Sequence, residues 1–236
     1  MLSNLRLQKI ITYLLMLAAG IVCCATYVLH ALKQPEYQVK KIAFQGKLTQ
    51  VSKAELQQVS ASVLKGNIVN IDLNAVRAGF EALPWVQSAE VRRNWPDKVT
   101  VSLVERTPFA RWSGVALLDT RGQPFLAQTN KNLPYLFGPT GTSVQVATMY
   151  RRYNELLKPT GLAIQKIWYS ERAAVRLILS NDLVVELGSK EQELRLSRFS
   201  FYWLKQFAPL PYRYQYVDMR YSRGFSVKIE EKRQAS

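Results

Sequence analysis

The sequence predicts an α+β fold: a single N-terminal transmembrane helix, a β-α-α-β-β module, and a β-rich domain with flanking helices. Three observations carry the prediction. Ile10 to Leu32 reads IITYLLMLAAGIVCCATYVLHAL without an Asp, Glu, Lys or Arg. The next stretch, residues 37–106, changes hydrophobic period in the order strand, helix, helix, strand, strand. Beyond it, short alternating segments separated by turn residues outnumber helical ones.

As a helix rising about 1.5 Å per residue, the apolar run extends roughly 34 Å, enough for a bilayer core of about 30 Å. A cleaved signal has a shorter apolar region, about 7–15 residues, ahead of small residues at the cleavage point; neither condition is met, and no lipobox-like small residue directly precedes Cys23 or Cys24. The run is therefore read as an uncleaved anchor. Arg6, Lys9 and the amino terminus flank its front edge, and the positive-inside rule keeps them in the cytoplasm. The expected organisation is a cytoplasmic tip at 1–9, the anchor at 10–32, a linker at 33–36, the first module at 37–106, a β domain at 107–229 and a tail at 230–236.

In the first module, Val39, Lys41 and Ala43 alternate with Lys40, Ile42 and Phe44 toward Gln45-Gly46, a first strand. Ser52 and Glu55 form a capping box with Val51 and Leu56 as a hydrophobic staple, and Leu56, Val59, Val63 and Leu64 hold helical spacing until Gly66. Asp72 caps a second helix through Leu73, Val76, Phe80 and Leu83, stopped by Pro84. Val86 to Trp95, a turn at Pro96-Asp97 and Lys98 to Glu105 complete a hairpin. Two helices on one face of a three-stranded sheet bury both apolar stripes.

In the β domain, Trp112 to Leu118 reads as a strand, Asp119 to Gly122 as a turn, and Gln123 to Gln128 as the return. Asn130 to Ser143 reads as a Pro- and Gly-rich connection, and Val144 to Leu157 as a helix. Ala163–Tyr169, Ala173–Leu179 and Leu183–Leu187 follow as strands, with a tight turn at Asn181-Asp182. Ser189 is the candidate cap of a helix from Lys190 to Phe207, with Leu194, Phe201 and Leu204 as its buried stripe. Tyr214 to Ile229 is a last strand region with a turn at Ser222-Arg223-Gly224.

The net charge is +15, of which Arg6 and Lys9 account for two. The basic residues are spread along the chain rather than gathered in one block, so no nucleic-acid partner is expected; an anionic membrane surface, an anionic wall polymer or an acidic protein suits an exported domain better. Both cysteines lie within the anchor, leaving the exported part no thiol for a disulfide or a thiolate metal site. The one histidine, His30, lies there too, which removes Ser-His-Asp, Cys-His and histidine-metal designs. Glu191 with Glu193 and Glu230 with Glu231 read as a helix-start preference and a solvated tail. Gly138 to Ser143 lacks the lysine of a phosphate loop. No catalytic residue, cofactor or metal is expected, and the chain is read as a non-enzyme.

Several segments together carry a family resemblance. Leu83-Pro84-Trp85-Val86 with Ala89, Val91, Arg93, Trp95-Pro96, Val99, Val101 and Glu105-Arg106-Thr107-Pro108 resembles the POTRA module of the FtsQ/DivIB bacterial cell-division proteins. Leu118-Asp119-Thr120-Arg121-Gly122 and Tyr216-Val217-Asp218-Met219-Arg220-Tyr221 followed by Gly224-Phe225 resemble the same family, over essentially the full chain. The resemblance implies a non-enzymatic divisome scaffold in the inner membrane, its domains periplasmic and its place the division septum. It implies FtsB- and FtsL-like single-pass partners, bound by strand addition at the C-terminal edge, and other division proteins met through the POTRA module. POTRA patterns also occur in proteins of export and outer-membrane assembly, which is the alternative reading.

Carried over by position, Arg220, Tyr221, Gly224, Phe225 and Val227 are the candidate partner-binding residues. Alternation alone fits Tyr221 and Phe225 as core aromatics and Gly224 as a turn residue equally well. Where the family often has a small polar residue before this glycine, Arg223 stands here, which implies an acidic partner residue opposite Arg220 or Arg223.

Overall fold

A computed structural model of the chain describes residues 2–31, 41–64, 67–222 and 224–230. The expected linker at 33–36, the strand start at 37–40, the stop at Gly66, Arg223 and tail residues 231–236 lie outside them, as do the side chains of Arg6, Lys9, His30 and Glu230. Helix α1 spans Leu2–Ala31. Its segment Ile10–Tyr27, with a mean hydropathy of 2.1, is long and apolar enough to cross a membrane, and its side chains are exposed. The chain divides into two units, 1–105 and 106–236.

The first unit is the β-α-α-β-β module: β1 (Lys41–Gln45), α2 (Lys53–Val63), α3 (Leu73–Glu81), β2 (Val86–Asn94) and β3 (Lys98–Glu105). β3 lies in the middle, parallel to β1 and antiparallel to β2. Local chemistry sets the helix starts. Ser52 Oγ accepts from the Glu55 amide at 3.2 Å while the Glu55 carboxylate accepts from the Ser52 amide at 2.8 Å, so the capping box is closed. Asp72 accepts from the amides of Asn74 and Ala75. At Gly79 an added Cβ would come 2.7 Å from Val63 Cγ1, so glycine is what lets the two helices approach. Leu56, Val76, Phe80, Val86, Val99, Val101 and Leu103 make the core.

Glu105, the last residue of β3, fixes the loop ahead of α2. Its carboxylate accepts from the amides of Thr49, Gln50 and Val51 and from the Thr49 hydroxyl, at 2.8 to 2.9 Å. Burial works to raise its pKa, but the three amide donors outweigh burial and hold it below the ordinary carboxylate value.

The second unit is a nine-stranded sheet with helices on one face. It comprises β4 (Pro108–Trp112), β5 (Ala116–Asp119), β6 (Pro124–Phe125), β7 (Tyr135–Phe137), α4 (Ser143–Leu157), β8 (Ile164–Tyr169), β9 (Val175–Leu179), β10 (Val184–Gly188), α5 (Gln192–Tyr202), β11 (Arg213–Asp218) and β12 (Ser226–Glu230). The strand order is β12-β11-β10-β9-β8-β7-β4-β5-β6. Leu136, Ile167, Leu177, Val185 and Val217 from five adjacent strands are fully buried against Val146, Leu157, Leu196 and Phe199 of the two helices.

The structure corrects four expectations. The strand read over Trp112 to Leu118 is the meeting of two: the chain reverses at Ser113 and Gly114, both with positive φ (49° and 78°), and β4 pairs antiparallel with β5. The connection at 130–143 contains β7, whose three residues pair in parallel with β4 and β8 near the middle of the sheet. Ser189 does not cap α5; the residue before the helix is Glu191, in the left-handed conformation and without a side-chain cap. Finally, the stripe of Leu194, Phe201 and Leu204 faces outward, at 63%, 52% and 46% exposure, whereas Leu196, Phe199, Trp203 and Phe207 point inward. The segment carries two apolar stripes. The inner one wins because it holds the larger set of aromatic rings, which contact one another and Tyr214.

Candidate functional site

β10, α5 and β11 form a crossover that brings β11 parallel to β10, after which β12 returns antiparallel and becomes the sheet's terminal strand. The pairing shows which β12 backbone groups are free. The Met219 amide donates to the Glu186 carbonyl on β10. Glu186 is level with Asp218, so Val217 and Met219 direct their backbone groups toward β10, and Tyr216 and Asp218 direct theirs toward β12. Ser226 and Lys228, paired with Asp218 and Tyr216, are therefore bonded inward. Val227, opposite Val217, presents its N–H and C=O to the open side, and alternation places those of Ile229 there too. The five residues span roughly 17 Å at about 3.4 Å each.

The loop before β12 is held from two directions. Arg198 on α5 donates to the carbonyls of Ser222 at 2.7 Å, Tyr221 at 2.8 Å and Met219 at 3.4 Å. Arg220 grips Asp218: its Nη2 reaches Oδ2 at 2.7 Å, its Nε both carboxylate oxygens at 2.9 and 3.0 Å, and its amide Oδ1 at 3.0 Å. Asp218 is nearly buried, and the Arg220 guanidinium holds its carboxyl below the ordinary carboxylate value against the opposing effect of burial. Next to it, Glu186 binds Arg176 at 2.7 Å.

The five candidate residues fall into different settings. Val227 is half-buried on the core side while its backbone lies on the open edge. Tyr221 is 56% exposed and so is not a core aromatic. Phe225 packs into an aromatic group with ring centroids 5.0 Å from Tyr202 and 5.3 Å from Phe207, so it supports the hairpin. Gly224 is half-exposed, and a Cβ there would meet open space. Arg220 has its guanidinium exposed but committed to Asp218. Sequence reasoning missed Arg198 and Asp218 as the residues that shape the loop. The signal for Arg198 was an arginine, three residues after Arg195, directly beside the aromatic stripe of α5; that for Asp218 was an acid two residues before an arginine.

Among the described residues no cluster of three His, Cys, Asp or Glu side chains is placed to hold a metal ion. A cleft of about 510 Å³ between α4, α5 and the turn after β8 is lined by Gln145, Tyr153, Tyr169, Glu191, Gln192 and Glu193 among others. Within it Tyr153 donates to Gln192 Oε1 and Gln192 Nε2 to the backbone carbonyls of Ala173 and Gly188, while Glu193 is paired with Arg152. These bonds tie the start of α5 in place.

A helix long and apolar enough to cross a membrane, a β-α-α-β-β module and a β domain with an open edge strand together define a protein of the POTRA-bearing class. Comparison with known families gives the same two parts: residues 37–106 match the FtsQ-type POTRA domain, and 110–220 the C-terminal domain of cell division protein FtsQ/DivIB. The protein named cell division protein FtsQ in Neisseria gonorrhoeae is 35% identical over 191 residues, 80% of this chain and 79% of that protein. The FtsQ of Vibrio cholerae is 35% identical over 193 residues, 80% and 74% of the two chains, and that of Hahella chejuensis 30% over 220 residues, 90% and 79%. The chain belongs to the FtsQ/DivIB family of cell-division proteins, and its role lies in the divisome.

Proposed function

We propose that the chain is a non-enzymatic scaffold which holds FtsB- and FtsL-like single-pass proteins by adding a partner strand to β12. The observation that carries this reading is the outward backbone of Val227 and Ile229 on a terminal strand. An added strand satisfies those donors and acceptors, and the exposed Tyr221 and the open space at Gly224 give its side chains and backbone room to approach. The cation needed for an acidic partner residue is only partly available at Arg220, because Asp218 already engages it; a partner carboxylate would share the guanidinium.

The domain limits, with the POTRA module at 37–106 and the β domain at 107–229, belong to the same proposal, as does its topology: tip cytoplasmic, both domains periplasmic, the whole placed at the septum. The POTRA module is assigned to recruiting other division proteins. The test is binding of the FtsB-like partner's periplasmic segment to the anchored chain in neutral detergent micelles, with and without a block of the β12 edge. Binding that persists when the edge is blocked in a folded protein would refute strand addition. Depletion in the native cell tests the wider role: undivided filaments are expected, and normal division with loss of exported proteins would favour the export reading.

A further inference from the structure

The face of the β-domain sheet opposite α4 and α5 carries a ridge that the strand-addition reading does not use. Register places the side chains. Leu136 pairs with Trp112 and Ile167, and all three face the helices. Their neighbours Tyr135 and Phe137 on β7, Arg111 on β4, and Lys166 and Trp168 on β8 therefore stand on the other face. Tyr135, Phe137 and Trp168 form a continuous row of near-parallel rings, with centroids 6.3 and 5.0 Å apart and interplanar angles of 10° and 7°. Arg111 and Lys166 flank Tyr135 from either side, 5.8 and 5.9 Å from its ring centroid. Tyr135 is 37% exposed, and the other four side chains are partly exposed.

Charge selects the occupant. Among the described residues neither Arg111 nor Lys166 is in an ion pair. Arg111 donates to the carbonyls of Thr129 and Lys131. The acids that register places on this face are already paired: Asp119 on neighbouring β5 is buried against Arg106 and Arg121, and Glu186 and Asp218, strands away, are paired with Arg176 and Arg220. The ridge thus offers cation donors and apolar ring surface with few acceptors. A second copy of this chain, at net +15, is repelled from it. A neutral sugar surface draws on acceptors as well as donors, and beside two cations this ridge supplies few acceptors, the Tyr135 hydroxyl among them.

We propose that this ridge is a second docking surface, specific for an acidic and apolar segment of a partner protein. The two cations stand two strand spacings apart, roughly 10 Å, which matches carboxylates three residues apart on a chain in the polyproline II conformation, which rises about 3.1 Å per residue and returns to the same face every third residue. The apolar residues between them lie on Tyr135, Phe137 and Trp168. The surface is separate from β12, so one partner can occupy each.

The test uses the full chain in neutral detergent micelles and a fluorescent twelve-residue peptide in which Leu-Leu-Glu repeats, read by anisotropy. The expected result is saturable binding that weakens at least tenfold when every Glu of the peptide is Gln, and at least tenfold for Lys166→Glu and for Trp168→Ala. Lys166→Gln, a mild change at a partly exposed position, should weaken binding several-fold and covers the case in which either harsher variant misfolds. Equal binding of the Glu and Gln peptides, or parent-like binding by a folded Lys166→Gln protein, overturns the proposal. So does an outcome in which solubilised wall fragments or an oligothymidylate displace the peptide at lower concentration than unlabelled peptide does, since the surface would then serve a polymer.

Discussion

Proline at position 227 separates the two sides of the terminal strand. The Val227 amide faces away from β11, so Val227→Pro removes a donor from the open edge and none from the β11–β12 ladder. Proline is tolerated at such edge positions. The added partner strand would lose one bond and leave a carbonyl unsatisfied. A hydrogen bond contributes about 0.5–1.5 kcal/mol net, and an orphaned acceptor costs about 1–3 kcal/mol; a loss of about 1–3 kcal/mol corresponds to a roughly 5- to 150-fold rise in Kd. The contrasting variant is Lys228→Pro, one residue on. Its amide points inward to Tyr216, so it should break the hairpin and lower the melting temperature as well as abolish binding. The assay is calorimetric titration of the partner segment beside thermal unfolding of each variant. If Val227→Pro melts like the parent and binds with unchanged affinity, the assignment of β12 as the recognition edge is wrong. If Lys228→Pro is the milder of the two, β12 has the opposite inward–outward phase.

Further expectations follow from the same contacts. Glu105→Gln should destabilise the first unit by about 2 kcal/mol, since a neutral amide accepts more weakly from the four donors at the 49–51 loop; denaturant unfolding checks it. Because the folded-state pKa of Glu105 is lowered, its stabilisation is present above the unfolded value near 4.5 and is lost as pH falls, so between about pH 5 and 3 the parent should lose more first-unit stability than Glu105→Gln, whose remaining loss comes from Glu55, held low by the Ser52 amide. Asp218 obeys the same sign: partner affinity should be flat from pH 8 to 5 and fall on further acidification as the Arg220 pair is lost, and Asp218→Asn should reduce that fall to the part owed to the partner's own carboxylate. Arg198→Ala frees three loop carbonyls and should speed amide exchange at 219–222 and weaken partner binding, with the melting temperature little changed. On α5 and the turn that continues it, Leu194→Gln and Leu204→Gln should each shift stability by less than about 0.5 kcal/mol, while Phe199→Ala should cost about 3–5 kcal/mol.

The first unit was readable because its instructions are local. Ser52 with Glu55 and Asp72 before Leu73 are caps made within one turn, and Val99, Val101 and Leu103 alternate against a single apolar layer. The β domain was less readable because its decisive pairings are remote. Tyr135 to Phe137 is too short to announce a strand between prolines and glycines; it becomes one only because β4 and β8 supply partners on both sides. On α5 the sequence offers two stripes of similar hydrophobicity, and the choice between them depends on Tyr214 and Phe225, which come later in the chain. The candidate edge was legible as a strand with a preceding turn. Its terminal position depends on the crossover through α5, and its clamp depends on Arg198, more than twenty residues upstream of the loop it holds; neither is a local pattern.

The open backbone of Val227 and Ile229 also bears on how many copies of this protein a cell can carry. An unpaired strand accepts any extended chain, including the same strand of another molecule, and edges left bare in a crowded membrane nucleate wrong pairings. Lys228 and a strongly basic surface oppose self-pairing, but only a cognate strand removes the hazard. On the proposed strand-addition reading, supply of partner sets the ceiling: surplus copies would stay uncapped and adhesive, so that reading requires synthesis of this chain and its partner in matched amounts.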